Sequence, residues 1–468
     1  MKLKIFIVLL FISILSYSQE VMEFGRFGKM TLYRSSPESR QVVLFVSGDG
    51  GWNLGVIDMA KTVASLDALV VGIDINHYLK QLENSKEKCS YPAADFEELS
   101  KFIQKKKNFP DYITPVLVGY SSGATLVYAV LVQAPPDTFS AAISMGFCPD
   151  LPLKKPLCKG YGLQWGPGPK GKGYSFLPTQ TLVNPWIAFQ GLSDKVCDAK
   201  DVEAFVKQVK NGEIVKLEKV GHGFAVQKNW LPQFKETFVN LFKKVKVKAP
   251  QGTIEPPAGL EQANVDGLPL AEILPQQWKK DYLAVILSGD GGWASIDRSI
   301  GEALVREGIG VVGFNSLKYF WRRRTPQEAA KDLQRILSHY AFSWQKNKVM
   351  VIGYSLGADV LPFMINRLAE PEKNLISAIV LLGPGKSVDF EFHLTDWLGG
   401  TSGSALPVLP EVEKLKGKNI LCIYGQDEND SLCPDIPPGL AHTVKMGGGH
   451  HFGGDYKEIV DIILKNFN

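Results

Sequence analysis

Two short motifs each occur twice in this chain, in the same order. Ser-Gly-Asp-Gly-Gly-Trp stands at Ser47–Trp52 and again at Ser288–Trp293, and Gly-Tyr-Ser-x-Gly-Ala stands at Gly119–Ala124 and Gly353–Ala358. Counted serine to serine, the first leads the second by 74 residues in one half and 67 in the other. Unrelated matches in fixed order at similar spacing point to two related domains in tandem. A length of 468 residues suits two cores of roughly 200 residues each. The formal net charge is +4, with no basic stripe of the kind a nucleic-acid binder carries, so that class is excluded.

The runs between the motifs set the fold class. Gln41–Val46, Ala68–Ile73, Pro115–Val118, Ser140–Ser144, Trp186–Phe189 and Ile214–Leu217 are short and apolar, and Tyr282–Leu287, Gly310–Phe314, Val349–Ile352, Ser377–Leu381, Ile420–Ile423 and Ala441–Val444 follow in the same sequence. Continuous rather than alternating apolar runs favour strands buried on both faces of a parallel sheet. Helical stretches such as Pro92–Lys107 and Thr325–His339 alternate with them, the sign of an α/β sheet. Lys248–Leu260 is rich in Pro and Gly and reads as linker. The layout is therefore a leader over 1–19, a first domain over 20–247, linker and lead-in over 248–280, and a second domain over 281–468. The glycine- and proline-rich stretch Lys159–Pro178 reads as an excursion loop, with Thr401–Pro410 its shorter counterpart.

Lys2 and Lys4 followed by the apolar run Ile5–Leu15 have the form of a cleavable export signal, too short to span a bilayer permanently. Export to the periplasm is the expectation. Six cysteines fit an oxidising compartment. Cys422 and Cys433 are the only pair in the second half and are expected to bridge. Cys89, Cys148, Cys158 and Cys197 allow three pairings that remain open. No Cys-x-x-Cys spacing occurs, so no metal is expected, and nothing asks for a cofactor.

A Gly-x-Ser-x-Gly between a buried strand and a helix is a nucleophile elbow, which makes Ser121 and Ser355 candidate nucleophiles. A serine needs a base and an orienting acid, here in chain order Ser, acid, His. Asp194 and His222 answer in the first half. In the second, aligning Cys433 with Cys197 selects Asp430, with Asp427 the alternative, and matching Gly-His-Gly-Phe to Gly-His-His-Phe selects His450 over His451. The glycine loops are placed to supply an oxyanion hole: Gly48 and Asp49 with Ser122 in one half, Gly289 and Asp290 with Leu356 in the other. In Lys318–Pro326, Tyr319, Trp321, Arg322, Arg323 and Arg324 could grip an anionic head group or a bilayer surface, or form a solvated helix start.

Together these residues resemble the VirJ/AcvB bacterial virulence proteins, the second half looking like VirJ and the whole layout like AcvB. The resemblance rests on the paired Ser-Gly-Asp-Gly-Gly-Trp loops, Gly353–Ala358, Tyr319–Pro326, Asp430–Pro434 and Gly449–Phe452. It implies tandem α/β-hydrolase domains, a periplasmic location, a link to type IV secretion, and hydrolysis of an aminoacylated phospholipid, chiefly lysyl-phosphatidylglycerol. It maps the nucleophile to Ser355, with Asp430 and His450 as partners. A non-catalytic accessory protein bound to secretion-system partners is the alternative, and a general esterase or peptidase a third.

Overall fold

The computed structural model describes residues 18–36, 38–242, 263–393 and 405–467. Of the expected leader only Ser18 and Gln19 fall within these ranges, and the expected linker Lys248–Leu260 lies outside them. Contacts divide the chain into two compact units, Met1–Ser100 with Ile113–Lys244 and Lys101–Tyr112 with Val245–Asn468. Lys101–Tyr112 thus groups with the second half of the chain although it precedes it.

In the first unit the strands are β1 (Ser18–Phe24), β2 (Gly28–Arg34), β3 (Gln41–Val46), β4 (Ala68–Ile73), β5 (Val116–Tyr120), β6 (Ala141–Met145), β7 (Asp150–Leu151), β8 (Trp165–Pro167), β9 (Tyr174–Phe176), β10 (Trp186–Gly191) and β11 (Gly212–Leu217). Eight of them form one sheet in the order β1-β2-β4-β3-β5-β6-β10-β11. From β4 to β11 all neighbours run parallel, while β1 and β2 add an antiparallel edge. The apolar runs are strands because helices cover both faces: every residue of β4, β6 and β10 is buried. Each Val, Leu or Ile so buried contributes roughly 1.5–3 kcal/mol. Helix Ser122–Gln133, which follows β5, is buried from Gly123 to Gln133.

The second unit contains β12 (Leu270–Ile273), β13 (Tyr282–Leu287), β14 (Val311–Phe314), β15 (Lys348–Tyr354), β16 (Ile376–Leu382), β17 (Ser387–Val388), β18 (Leu406–Pro407), β19 (Ile420–Gly425) and β20 (His442–Met446). Its sheet runs β12-β14-β13-β15-β16-β19-β20. That is the first unit's order without the outermost β1, with β12 in the place of β2 and antiparallel to β14. Two mostly parallel sheets flanked by helices, each with a strand–serine–helix elbow at its centre, are two α/β-hydrolase folds.

Two stretches depart from the sequence reading. Lys159–Pro178 is not a bare loop: β8 and β9 lie in it, and β9 pairs with β8 on one side and β7 on the other in a small antiparallel sheet. Within the linker and lead-in, β12 closes the sheet edge. Residues 401–404 of the counterpart stretch lie outside the described ranges, and β18 beyond them pairs with β17.

The chain order places the candidate residues at the carboxyl ends of the parallel strands, where open α/β sheets bind their ligands. The Ser-Gly-Asp-Gly-Gly-Trp loops follow β3 and β13, and the elbows follow β5 and β15. Trp52 lies flat on Gly72 of β4 and Trp293 on Gly313 of β14, so that a Cβ added at either glycine would come within 2.0 Å or 2.5 Å of the indole. The tryptophan therefore fastens the loop to the sheet. Gly313→Ala is expected to lower stability by about 1–3 kcal/mol through overpacking, read as a drop in Tm. Gly291→Ala, with no atom within 4 Å of the added carbon, should leave Tm nearly unchanged.

Candidate active sites

Each elbow holds its serine in a conformation that L-residues rarely adopt, Ser121 at φ 56°, ψ −122° and Ser355 at φ 51°, ψ −121°. The flanking glycines make room for it. A Cβ on Gly119 would lie 2.1 Å from the Gly123 carbonyl oxygen, and one on Gly123 would lie 2.3 Å from the Ser47 oxygen. Gly353 and Gly357 are equally crowded, at 2.4 Å from the Gly357 oxygen and 2.1 Å from the Leu287 oxygen. Strain held by such packing is a common mark of a functional site.

In the first unit a continuous hydrogen-bond chain leads away from the serine. Ser121 Oγ lies 2.9 Å from His222 Nε2, and His222 Nδ1 lies 2.9 Å from Asp194 Oδ2. The Asp194 side chain has no exposure to solvent. Its Oδ1 accepts from the N–H groups of Val196 and Cys197, and Gln190 Nε2 donates to Oδ2. Burial alone would raise its pKa, but the Cys197 N–H, His222 and the Val196 N–H outweigh that and hold it below the usual carboxylate value. Ser121, Asp194 and His222, the three residues read from the sequence, are thus brought together.

In the second unit the carboxylate bonded to the histidine differs from the one read from the sequence. His450 Nδ1 pairs with Glu428 Oε1, not with Asp430 or Asp427. Both aspartates instead line the cavity at Ser355. The reason is the turn that ends the strand. Asp194 is the third residue after Gly191 and Glu428 the third after Gly425, and in both turns the acid's N–H donates to that glycine's carbonyl. The residue before the acid then donates to the carbonyl two positions before the histidine, Ser193 to Val220 and Asp427 to Gly448. Alignment through the cysteines overshoots this turn. Counting from the strand-ending glycine finds it.

Glu428 also accepts from the Gly425 N–H at 2.6 Å. Burial would raise its pKa, yet the bonds from His450 and Gly425 bring it below the usual value. Burial would lower His450, and Glu428, with Asp359 and Asp290, raises it instead. His451 is set apart, its Nδ1 3.3 Å from the Tyr354 hydroxyl. Ser355 and His450 share a cavity of about 710 Å³, with no hydrogen bond between them in this structure. Apo sites often hold such contacts long.

The glycine loops run directly past the serines. A Cβ on Gly48 would lie 2.9 Å from Ser121 Cβ, and one on Gly289 would lie 3.3 Å from Ser355 Cβ. Ser122 and Leu356 open their helices, so their N–H groups have no partner within the helix. Backbone donors of Gly48, Asp49 and Ser122, and of Asp290 and Leu356, therefore sit beside the two nucleophile positions, whereas the Gly289 N–H is given to the buried Asp297 carboxylate. Ser47 Oγ and Ser288 Oγ accept from the N–H groups of Ile75 and Ser316, tying each loop to the start of the helix that follows the neighbouring strand, β4 or β14.

The aromatic and arginine run is not part of the cavity wall. Tyr319 is buried and donates to Asp332 at 2.7 Å, and the Arg324 guanidinium stacks over its ring at 4.8 Å. Trp321 is buried against Tyr112 and Phe392, and its Nε1 donates to the Phe109 carbonyl. Arg322 is engaged by Asp111 and the Pro110 carbonyl. Arg323 is exposed. None of these residues is among those lining the cavity at Ser355, so the expectation that they bind substrate there is corrected: Tyr319 packs in the main core and Trp321 in a small apolar cluster, while Arg322 and Arg324 are held by local contacts.

Three disulfides are formed, Cys89–Cys158, Cys148–Cys197 and Cys422–Cys433. They are those of a chain that reaches an oxidising compartment. Among the described residues no helix is long and apolar enough to cross a membrane. Asp194, Cys197 and His222 have ligand atoms within 4.8 Å of one another, but the Cys197 sulfur is committed to Cys148 and the other two to each other.

Solved structures are similar to about half of the chain. An α/β serine hydrolase without a lid from Xanthomonas campestris is 15% identical over 48% of this chain and 93% of its own, with a TM-score of 0.32. Est1E from Butyrivibrio proteoclasticus is 12% identical over 48% and 99%, at 0.32. Thermogutta terrifontis esterase 2 is 17% identical over 49% and 97%, at 0.33. No curated protein matches the sequence. The family of the bacterial virulence protein VirJ matches at residues 40–147 and 281–468, and the chain belongs to that family.

Proposed function

We propose that this protein is an exported, periplasmic serine ester hydrolase with two active sites, and that the aminoacyl ester of an aminoacylated phospholipid such as lysyl-phosphatidylglycerol is the substrate of the second. The observation that carries the reading is the strained Ser121 joined through His222 to the buried Asp194. His222 Nε2 takes the Ser121 proton as Oγ attacks the ester carbonyl, and Asp194 holds the imidazole in the tautomer that can accept it. The oxyanion is held by backbone N–H groups of Ser122 and the Gly48–Asp49 loop, each such donor worth about 3–4 kcal/mol. The protonated His222 then gives its proton to the leaving alcohol, and water clears the acyl-enzyme by the reverse steps. Ser355, His450 and Glu428 take the same roles in the second unit.

Support for an aminoacyl substrate comes from the second cavity. Asp359, Asp427, Glu428 and Asp430 line it, and the one lysine among the described lining residues, Lys386, is paired with Asp435 at 2.7 Å. An acidic wall favours a substrate that brings positive charge. The test is lysine release from vesicles of lysyl-phosphatidylglycerol in phosphatidylglycerol, together with labelling by a fluorophosphonate. We expect lysine release and label on Ser121 and Ser355. Folded protein that takes no label and releases no lysine would refute the reading in favour of an accessory binding protein.

A further inference from the structure

The two sites differ in charge at one position on the helix that follows the nucleophile. Asp359 stands four residues after Ser355 on helix Leu356–Asn366, on the same helix face and one turn away. It lines the same cavity as Ser355 and His450. Its Oδ1 accepts from the Gly385 N–H at 2.7 Å. A Cβ on Gly385 would lie 3.6 Å from both carboxylate oxygens, so the carboxylate lies against bare backbone. No cationic side chain among the described residues forms an ion pair with it. In the first unit the same position is Thr125, whose hydroxyl donates to the Cys148 carbonyl at 2.6 Å. That site has no charge there.

The chemistry of an amino-acid ester fixes where its amine must lie. The α-nitrogen is one carbon removed from the carbonyl that Ser355 attacks, so in the reacting complex the ammonium sits within a few ångströms of Oγ. The side chain one turn along the helix is positioned to meet it. A desolvated carboxylate is stabilised when a cation comes to it and costs free energy while alone.

We propose that Asp359 receives the α-ammonium group of an aminoacyl ester in the second site, and that the first site, with Thr125, handles acyl groups without that charge. The proposal rests on the reading of both sites as ester hydrolases and adds a division of labour between them. Burial pushes the Asp359 carboxyl up to about 7, against the Gly385 hydrogen bond and the field of His450, and with Asp290 and Asp430 adding to the rise. The protein by itself thus leaves this carboxylate under-compensated, which is the state a bound ammonium relieves.

The test uses the full-length protein with one site silenced at a time, and two nearly isosteric esters. Alanine methyl ester carries the ammonium, and methyl isobutyrate has a methyl group in its place. With Ser121→Ala, kcat/KM should favour alanine methyl ester by roughly 10- to 100-fold, the range a charged hydrogen bond supplies. With Ser355→Ala that preference should be absent. Asp359→Asn keeps an acceptor for the Gly385 N–H and removes the charge, and in the Ser121→Ala background it should collapse the ratio, chiefly through KM for the alanine ester. Fluorophosphonate labelling of Ser355 in that variant reports that the site is folded. A ratio unchanged by Asp359→Asn overturns the proposal, as does an equal preference in the two singly silenced proteins. If the Ser121→Ala protein takes no label at Ser355 and cleaves neither ester, the reading of the second site as a hydrolase falls, and this inference with it.

Discussion

Replacing Ser121 with alanine in a Ser355→Ala background is expected to lower ester turnover by roughly 10⁵- to 10⁶-fold, the scale on which loss of a serine nucleophile acts. Ser355→Ala in a Ser121→Ala background should do the same to what remains. The elbow explains why the effect should be chemical and not structural. Ser121 already bears the cost of φ 56°, and alanine at that φ bears a similar one. The glycines at 119 and 123 that make the turn possible are untouched. The Tm of each variant should therefore stay close to that of the native protein while fluorophosphonate label disappears from the substituted position. The measurement is label mapped by peptide, with kcat/KM for each single variant beside the double. If the double variant hydrolyses esters at the native rate, the catalytic reading of both elbows is wrong.

Glu428→Gln, measured with the first site silenced, is expected to cost about 10³- to 10⁴-fold in kcat, the penalty for leaving a catalytic imidazole without its anion. Asp430→Asn should cost far less, because that side chain lines the cavity but does not touch the histidine. The two variants should also differ in pH behaviour. His450 must be neutral to act as a base, and Glu428 holds its pKa above the ordinary histidine value. The acid limb of kcat/KM at the second site should therefore lie above pH 6.5 in the native protein. Once Glu428 is neutral glutamine, the largest upward pull on His450 is gone, and the limb should move to lower pH even as the maximum rate falls. An acid limb that stays in place in Glu428→Gln but shifts in Asp430→Asn would return the role to Asp430.

What could be read from the sequence was whatever backbone sterics demand. A serine at positive φ between strand and helix needs glycine on both sides, so Gly119, Gly123, Gly353 and Gly357 announced the elbows. Glycine opposite tryptophan explains Gly72 and Gly313 in the same way. Strands buried on both faces are continuous apolar runs, and the order of these runs carried the sheet. Glu428 is hidden because the loops after β10 and β19 differ in length, and Cys197 and Cys433 pair with different partners in the two units and so do not mark equivalent positions. The arginine run misled for another reason. Tyr319 and Trp321 are amphipathic, and nothing in the spacing of Lys318–Pro326 distinguishes an aromatic facing a cavity from one facing a core. Strands of two or three residues, such as β7 to β9, are too short for any periodicity to register.

The disulfides set a condition on when the sites can exist. Cys197 lies three residues beyond Asp194 and is fastened to Cys148, while Cys433 lies five beyond Glu428 and is fastened to Cys422 within β19. By different routes, each unit clamps the loop that carries the histidine's carboxylate. Loss of such a link costs about 2–5 kcal/mol in a small domain, and in these loops the slack falls on the acid. Thiols stay reduced in the cytosol. A chain in reducing surroundings thus carries both elbow serines with the histidines' carboxylates untethered, and the two sites tighten only where thiols are oxidised. For an exported hydrolase, as proposed, oxidation of these cysteines would make maturation of the sites and arrival in the oxidising compartment one event.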